Sequence, residues 1–363
     1  MLSTLISCGT PSGNSAPVES NFPLKQVFSI PVDEVIQRLA VLDTWIAIGT
    51  PNKIIAIDID TQKTLWSVDF RPTASFEDKF QFTNDTLVAA SSDQIILLDR
   101  AGQKRKLNLG PDRHIPTIID MTDSTTIMEM AGIYPNNIYI VRGSMRILEA
   151  YDISKNKIIW SISDGRGAKV FLDPSNNIAY VTTPYSIRAV NNASGDVLWE
   201  DETLSSPSAF GDGVLFICGG GDNKRTLYIS AIDVKTRKEL WKTKGANLAW
   251  VSKCTIVDNL LIASGGGGLI AINKFNGNLD WHIYKNESFE TRPVEFNNVI
   301  YLKSPSFLVY AISPSDGKIV GVVKLEDANP FIQPSYEVTA GVCPFKDGII
   351  FNTRNSVVIY EAK

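Results

Sequence analysis

The chain has 363 residues, of which 44% are hydrophobic and 20% are charged, a composition typical of a folded globular protein. Its 35 basic and 39 acidic side chains leave a net charge of −4, which gives no electrostatic attraction to nucleic acid or to an anionic membrane surface. The two histidines, His114 and His282, are too few for a histidine-rich metal site, and histidine-based acid–base catalysis is disfavoured as well.

The N-terminal segment, residues 1–21, contains the string LISCG at residues 5–9, which resembles a bacterial lipobox, the motif whose cysteine becomes lipidated. The polar, turn-rich residues after Cys8 are typical of a flexible tether. Residues 1–4 are too few for the basic and apolar parts of a secretory signal, so either translation starts further upstream or the match arises by chance. We expect lipidation of Cys8 and a tether over residues 1–21. The alternative is an ordinary N-terminal segment with a free thiol.

From residue 22 onwards the chain repeats one pattern: an alanine, an Asp or Asn two residues later, a turn, and a tryptophan ten residues after the alanine. Five copies end in tryptophan, at Trp66, Trp160, Trp199, Trp241 and Trp281. Two degenerate copies keep the same spacing and run over residues 97–107 and 311–321, ending in Leu107 and Gly321. A repeat of this length is typical of solenoids and propellers.

Each copy follows a run rich in β-branched and aromatic residues, as at residues 45–48 and 138–141, which predicts a strand. The turn falls about six residues after the alanine, where Gly195, Gly277 and Asn156 are residue types that tolerate a positive φ. Each period therefore contains about four short antiparallel strands, the content of one propeller blade.

An eighth unit is divided between the two ends of the chain. Residues 348–352 and 356–361 predict two strands, and the missing outer strand is predicted at residues 25–30, with Phe28 in the place of the tryptophan. Pairing the N-terminal strand into the last blade removes two exposed sheet edges. The sequence thus predicts an all-β fold: one eight-bladed β-propeller over residues 22–363, with four-stranded antiparallel blades and a ring closed by the N-terminal strand.

The remaining cysteines, Cys218, Cys254 and Cys343, lack the spacing of zinc or redox motifs. Buried thiols are the favoured interpretation, and a single disulfide among the three is the alternative. The glycine runs 219–221 and 265–268 predict tight hairpin turns within blades, because neither precedes a helix or a Lys-Ser/Thr pair that a phosphate site needs.

The repeated pattern A-x-[DN]-x-x-[TS]-G-x-x-x-W is similar to the repeat of the PQQ-type (quinoprotein-like) β-propellers, most closely at residues 189–199, 271–281 and 311–321. The resemblance implies that tryptophan ends of neighbouring blades dock on each other. It therefore implies structural roles for the five tryptophans and for Asp58, Asp152 and Asp233 of the same motif.

Two functional classes within the resembled family compete: quinoprotein dehydrogenases, and non-catalytic scaffolds of the outer-membrane assembly lipoprotein (BamB) type. The dehydrogenases are much longer and often carry a disulfide of adjacent cysteines, which this chain lacks. No acidic cluster here has the spacing of an oxygen-ligand calcium site. We therefore expect a non-catalytic protein without cofactor or metal. A quinone- or metal-dependent oxidoreductase is the alternative.

The longest connection in the repeat lies around residues 111–126, between the outer strand of one blade and the inner strand of the next. Such loops lie at the channel mouth, where ligands bind, although a tolerated insertion is the alternative. Predicted partner-binding residues are Asp112, Arg113 and His114 in this loop, together with Trp250 and Arg292 in other connections.

This pattern predicts an extracytoplasmic scaffold, a monomer within a complex, that docks protein partners of the cell envelope through the face loops and does not bind nucleic acid. Cys8 would hold it to a membrane, in the periplasm at the outer membrane or at the cell surface. Envelope protein assembly is the process that the family resemblance implies.

Overall fold

The computed structural model describes residues 22–70, 80–91, 94–107, 127–134, 136–142, 147–163, 168–183, 186–202, 209–222, 226–244, 248, 251–284, 289, 291–326, 341–345 and 347–363. Within them the regular structure is entirely β, and no helix is present that is long and apolar enough to cross a membrane.

Thirty-two strands form the fold. The first sixteen are β1 Leu24–Pro31, β2 Arg38–Leu42, β3 Trp45–Gly49, β4 Lys53–Asp58, β5 Thr64–Asp69, β6 Phe80–Thr83, β7 Thr86–Ala90, β8 Ile95–Leu98, β9 Lys104–Lys106, β10 Ile127–Ile133, β11 Asn137–Arg142, β12 Ile147–Asp152, β13 Lys157–Ile162, β14 Lys169–Asp173, β15 Ile178–Thr182 and β16 Ile187–Asn191. The others are β17 Val197–Asp201, β18 Ala209–Gly211, β19 Val214–Asp222, β20 Thr226–Asp233, β21 Glu239–Lys244, β22 Val251–Val257, β23 Leu260–Gly265, β24 Gly268–Asn273, β25 Leu279–Tyr284, β26 Val294–Phe296, β27 Val299–Lys303, β28 Leu308–Ile312, β29 Ile319–Lys324, β30 Val342–Phe345, β31 Gly348–Asn352 and β32 Ser356–Ala362.

The strands form eight four-stranded antiparallel sheets, which are the blades of a propeller. Blades 1 to 7 each take four consecutive strands, beginning with β2–β5 and ending with β26–β29. Blade 8 has the order β1-β32-β31-β30, so the N-terminal strand supplies its outer edge. The innermost strand of blade 1, β2, contacts the innermost strands of blades 2 and 8, β6 and β30, as a closed ring requires. The predicted fold class and ring closure are confirmed.

Burial follows the position of each strand within its blade. All five residues of β3 are buried, whereas the outer strand β5 of the same blade has no buried residue. Continuous apolar strands fit this position because neighbouring blades cover both faces of the middle strands. The core is therefore a series of apolar layers between blades, with the outer strands at the circumference.

The register of β1 places Phe28 in the position that tryptophan occupies elsewhere. Phe28 pairs with Ile359 and Gln26 with Tyr360, which leaves Val27 in a β-bulge. Blade 5 has the same arrangement: Trp241 pairs with Ala231, Glu239 pairs with Ile232, and Leu240 lies in the bulge. The prediction for Phe28 is confirmed at the level of strand register.

Four tryptophans dock on the next blade through a hydrogen bond from the indole nitrogen. In each case the acceptor is the backbone carbonyl of the residue that follows the Asp, Asn or Ser of the next repeat. The bonds are Trp66 Nε1 to Arg100 O (3.1 Å), Trp160 Nε1 to Asn192 O (2.9 Å), Trp241 Nε1 to Lys274 O (2.9 Å) and Trp281 Nε1 to Pro314 O (2.7 Å). A buried indole N–H needs such an acceptor, so the tryptophan and the turn that receives it form one unit.

The turn glycine of the receiving blade lies directly against the indole ring. A Cβ atom on Gly277, whose φ is +74°, would lie 2.6 Å from the Trp241 ring, closer than any side chain tolerates. The same holds for the glycines that face Trp66, Trp160 and Trp281, which are Gly102, Gly195 and Gly317.

Blades that do not receive a tryptophan have no such glycine. The blade that follows Phe28 has Gln62 at this turn position, and the blade that follows blade 2 has Asn156, both with positive φ. Trp199 is the exception, because the turn it faces has Arg237, also at positive φ, and no glycine.

One predicted repeat position is wrong. The ten-residue spacing placed Leu107 in the tryptophan's position in blade 2, but Leu97 pairs with Arg105 instead. Two differences account for this shift of two residues. The turn is one residue shorter, since Asp99 N–H bonds to Gln103 O, whereas Asn273 N–H in blade 6 bonds to Asn278 O, and β9 lacks the bulged residue that precedes Trp281. Leu107 is buried in the layer between blades 2 and 3.

The two glycine runs behave differently. Gly265 pairs with Gly268 across a two-residue turn, as predicted. Residues 219–221 are not a turn, because they continue β19, where Gly220 pairs with Tyr228 of β20. The absence of side chains is compatible with a strand as well as with a turn, so composition alone did not distinguish them.

We predict that Gly277→Ala destabilises the protein more than Gly213→Ala does. Both glycines have nearly the same φ, +74° and +73°, but a Cβ atom on Gly213 would meet nothing within 4 Å. Gly213→Ala should therefore cost only the backbone term, about 1–2 kcal/mol. Gly277→Ala should cost about 1–3 kcal/mol more, because the Trp241 ring must move. Urea unfolding measures both, and equal losses would contradict the docking role of the glycine.

Candidate partner-binding face

The two ends of the strands define two faces of the ring. Because strands alternate in direction, the turns between second and third strands and the connections between blades lie on one face, here called the upper face. The turns between third and fourth strands, which receive the tryptophans, lie on the opposite, lower face.

The structure describes one of the predicted partner-binding residues, Arg292, which is exposed in the connection that leads into β26. Asp112, Arg113, His114 and Trp250 lie outside the described residues, and so does Cys8.

The turns of the upper face are closed by buried hydroxyl residues. In blade 1, Thr50 N–H donates to Lys53 O at 2.9 Å, and Thr50 Oγ1 accepts from Lys53 N–H at 3.2 Å. The same exchange closes three further turns, through Ser91 with Gln94, Thr183 with Ser186, and Thr353 with Ser356. These side chains satisfy backbone groups in the turn, which makes the face rigid. The sequence analysis missed them, although in these four blades the hydroxyl residue stands six positions before the alanine position of the repeat.

The connection from blade 8 into blade 1 is fixed to the turns beneath it. Val32 N–H donates to Asn355 O at 2.8 Å, and Ile36 N–H donates to Arg354 O at 2.6 Å. Glu34 accepts a hydrogen bond from Thr50 Oγ1 at 2.9 Å and forms an ion pair with Lys53 at 3.5 Å. This part of the upper face is thus a preorganised surface.

An aromatic ring between two cations marks the junction of blades 7 and 8 on the same face. Phe307 adopts φ +63°, an uncommon conformation for a bulky residue, in the turn after β27. Lys303 Nζ lies 5.5 Å from its ring centre and the guanidinium carbon of Arg354 lies 5.7 Å away, both within cation–π range. Lys303 Nζ also donates to Asn352 O at 2.8 Å, across the seam. Lys303 is buried, so Phe307, Arg354 and the exposed Arg292 are the groups here that acidic or aromatic side chains of a partner would meet.

The cysteine prediction needs correction. Cys218 of β19 and Cys254 of β22 form a disulfide between blades 5 and 6, with Cα atoms 6.7 Å apart, so the buried-thiol interpretation is wrong for this pair. The two residues are 36 positions apart in sequence, and only the packing of adjacent blades brings them together. Of the described cysteines, Cys343 alone is not in a disulfide. Burial raises the pKa of its thiol to about 12, although the nearby Lys303 cation opposes the shift.

The disulfide lies at the base of an extended hairpin. In blade 5 the pairing of β19 with β20 continues to Asp222 and Thr226, beyond the level at which Thr50 closes the turn of blade 1. The hairpin therefore projects from the upper face, and Cys218 ties it to the first strand of blade 6.

The acidic residues of the repeat are engaged in their own turns. Asp58 Oδ1 accepts hydrogen bonds from the Thr61 backbone N–H at 2.9 Å and from Thr61 Oγ1 at 2.8 Å, which hold the pKa of this carboxyl below its ordinary value. Asp152 and Asp233 make equivalent bonds to their turns. Across the described ranges, no group of three or more His, Cys, Asp and Glu side chains is placed to hold a metal ion.

The chain matches a known protein family over most of its length. The family described as outer membrane protein assembly factor BamB matches residues 51–211 and 184–330, well over half of the chain. The chain belongs to this family. Among curated proteins, none matches the chain by sequence.

Solved structures share the fold of this BamB family member across most of its length. BamB from Moraxella catarrhalis has a TM-score of 0.63 at 16% identity, over 93% of this chain and 99% of that one. The computationally designed Ika8 protein has a TM-score of 0.69 at 14% identity, over 92% and 98% of the two chains. A europium-containing methanol dehydrogenase has a TM-score of 0.61 at 12% identity, over 86% and 83%. At these identities the likeness shows the fold alone.

We predict that the disulfide can be counted chemically. In Cys8→Ser protein produced in an oxidising compartment, three of the four cysteines remain. Denaturation without reductant should allow alkylation of Cys343 only, and reduction should expose all three thiols. Without denaturant Cys343 should react more slowly with the alkylating agent than in unfolded protein, because its raised pKa leaves less of the reactive thiolate. Reduction should also lower the free energy of unfolding by about 2–4 kcal/mol. Three alkylated thiols before reduction would contradict the pairing.

Proposed function

We propose that this protein is a non-catalytic scaffold of the cell envelope that docks protein partners through the upper face of its propeller during envelope protein assembly. The match of the BamB family over residues 51–211 and 184–330 is the observation that carries this proposal. A relative named for assembly of outer membrane proteins makes another protein, rather than a small substrate, the expected ligand.

The compartment is supported by the disulfide. Structural disulfides persist in oxidising compartments such as the periplasm or the cell surface, and they are rare in the bacterial cytosol. The Cys218–Cys254 pair therefore supports a location outside the cytoplasm. The lipobox at Cys8 supports a lipid anchor, with residues 1–21 as the tether and residues 22–363 as the propeller.

The upper face is the better docking surface because turns on the lower face already bind tryptophans of neighbouring blades. Lower-face turns hold the indole rings of neighbouring blades, so a change there disturbs the ring itself. The connections between blades on the upper face receive no indole ring, and loops on a rigid scaffold are frequent sites of recognition. The face also presents Arg292, the Phe307–Arg354 pair and the hairpin of blade 5, and Arg is a common anchor of protein interfaces.

The docking proposal is tested by capture of envelope proteins with an immobilised propeller. Shortening residues 111–126 to a Gly-Ser turn should abolish capture of a specific partner while the melting temperature stays nearly constant. Arg292→Glu should weaken the same capture at least about tenfold, as loss of an interface anchor does. The matched control is Arg237→Glu, the same charge reversal at an exposed arginine in the lower-face turn of blade 5. Unchanged capture by both upper-face variants would place the interface elsewhere.

The anchor is tested with the chain expressed behind its own upstream sequence. Wild-type protein should partition into the detergent phase, and Cys8→Ser should release it into the aqueous phase, because the acyl chains of a lipoprotein supply the membrane affinity. Equal partitioning of the two proteins would contradict lipid anchoring at Cys8. Oxidation of an alcohol or sugar in the presence of quinone and calcium would contradict the non-catalytic role.

A further inference from the structure

The outer strand of blade 2 differs from the outer strands of the other seven blades. Each of those seven carries a β-bulge at the same ladder position, just before the tryptophan or its substitute. The bulged residues are Val27, Leu65, Ile159, Leu198, Leu240, Asp280 and Val320. Strand β9 alone among these eight pairs with its neighbour in unbroken register. A bulge disrupts an edge for further pairing, so β9 is the one outer edge with regular strand geometry.

The hydrogen bonds of β9 show which of its backbone groups are turned outwards. Leu107 N–H donates to Ile95 O at 3.0 Å, and Asp99 N–H donates to Gln103 O at 3.4 Å. Residues 103, 105 and 107 therefore direct their backbone groups to β8, and Lys104 and Lys106 direct theirs away from the sheet, as antiparallel pairing dictates. Strand β9 ends its sheet, so this row of donors and acceptors faces outwards at the circumference.

The side chains of this edge are all cationic. Lys104, Arg105 and Lys106 are exposed, and none of them forms an ion pair with another described residue. Lys104 Nζ lies 5.9 Å from the ring centre of Phe70, which keeps it on the side of the sheet towards blade 1. By the alternation of the strand, Arg105 lies on the opposite side, towards blade 3.

Regular geometry and positive charge together select one kind of occupant. Lysines on an edge oppose pairing between two copies of the chain, since like charges would stand side by side. They favour an incoming strand of opposite charge, whose backbone would meet the outward groups of Lys104 and Lys106. We propose that β9 binds an extended acidic polypeptide segment as a fifth strand of blade 2.

This site goes beyond docking on the upper face. It lies at the circumference of the ring, and it rests on the proposed function only in that its occupant is a polypeptide. A scaffold with both surfaces would hold a folded partner on its face and an extended segment of that partner, or of a second one, along its side.

The experiment uses the full propeller and a synthetic nine-residue peptide of alternating glutamate and threonine, with binding measured by fluorescence anisotropy. Lys106→Pro removes an outward N–H without breaking a bond to β8, a change that edge strands tolerate. It should weaken binding at least about tenfold, whereas Lys106→Ala, which keeps the N–H, should cost only about two- to fivefold. A peptide with glutamine in place of glutamate should bind at least about tenfold more weakly.

Two controls isolate the edge. Lys157→Glu makes a charge reversal on the exposed start of the bulged strand β13, and it should leave peptide binding unchanged. The double change Lys104→Glu with Lys106→Glu should abolish binding, and it serves if Lys106→Pro lowers the melting temperature. Shortening residues 111–126 should leave peptide binding intact. Loss of partner capture on the upper face can therefore be distinguished from loss of peptide binding at β9.

Equal binding of the peptide by wild type and Lys106→Pro would overturn strand addition. Vesicles of phosphatidylglycerol that bind wild type and Lys106→Pro equally, and displace the peptide from both, would show a polyanion patch instead of a peptide site and would also overturn it.

Discussion

The contact on which this structure depends is an indole ring packed against a glycine of the next blade. The ring N–H of Trp281 donates to Pro314 O at 2.7 Å, and a Cβ atom on Gly317 would approach the indole to 2.6 Å. The contact combines burial of a large apolar ring with a satisfied hydrogen bond. A substitution of the tryptophan or of the glycine alone should therefore destabilise the protein. Because it recurs around the ring, it sets the spacing of the blades and reserves the lower face for structure.

Seams without this contact are held by other means. Blade 7 has Gly321 where a tryptophan would stand, and there Lys303 donates to Asn352 across the seam. The same seam is filled by an aromatic cluster of Phe22, Tyr301, Phe351 and Tyr360. The seam between blades 5 and 6 has both the docked Trp241 and the Cys218–Cys254 disulfide. Reinforcement there fits the extended hairpin that rises from blade 5, since a projecting element needs a fixed base.

The repeat was sufficient to predict the blades, because the interval from alanine to tryptophan spans the end of one strand, a turn and the start of the next strand. It also placed Phe28, whose strand pairs with β32 in the same bulged register as the tryptophan strands. It failed at Leu107, because a turn shorter by one residue and the absence of the bulge together move the tryptophan position of blade 2 to Arg105. The disulfide was not predictable, because it depends on how two blades pack. For the upper face, Arg292 was predicted from its place in a connection, and its partner-binding role stays a prediction. The Phe307 cluster joins two blades and has no local sequence signal.

A double-mutant cycle on Trp281 and Gly317 tests this account most directly, with unfolding by urea as the readout. If the indole is what excludes a side chain at Gly317, then Gly317→Ala should be much less costly once Trp281→Ala has removed the ring, because the atoms nearest to a Cβ at Gly317 are all atoms of that ring. The residual cost should be the backbone term of about 1–2 kcal/mol, and the coupling energy should exceed about 1 kcal/mol. Additive losses, within about 0.5 kcal/mol, would show that the two residues act independently and would contradict the account.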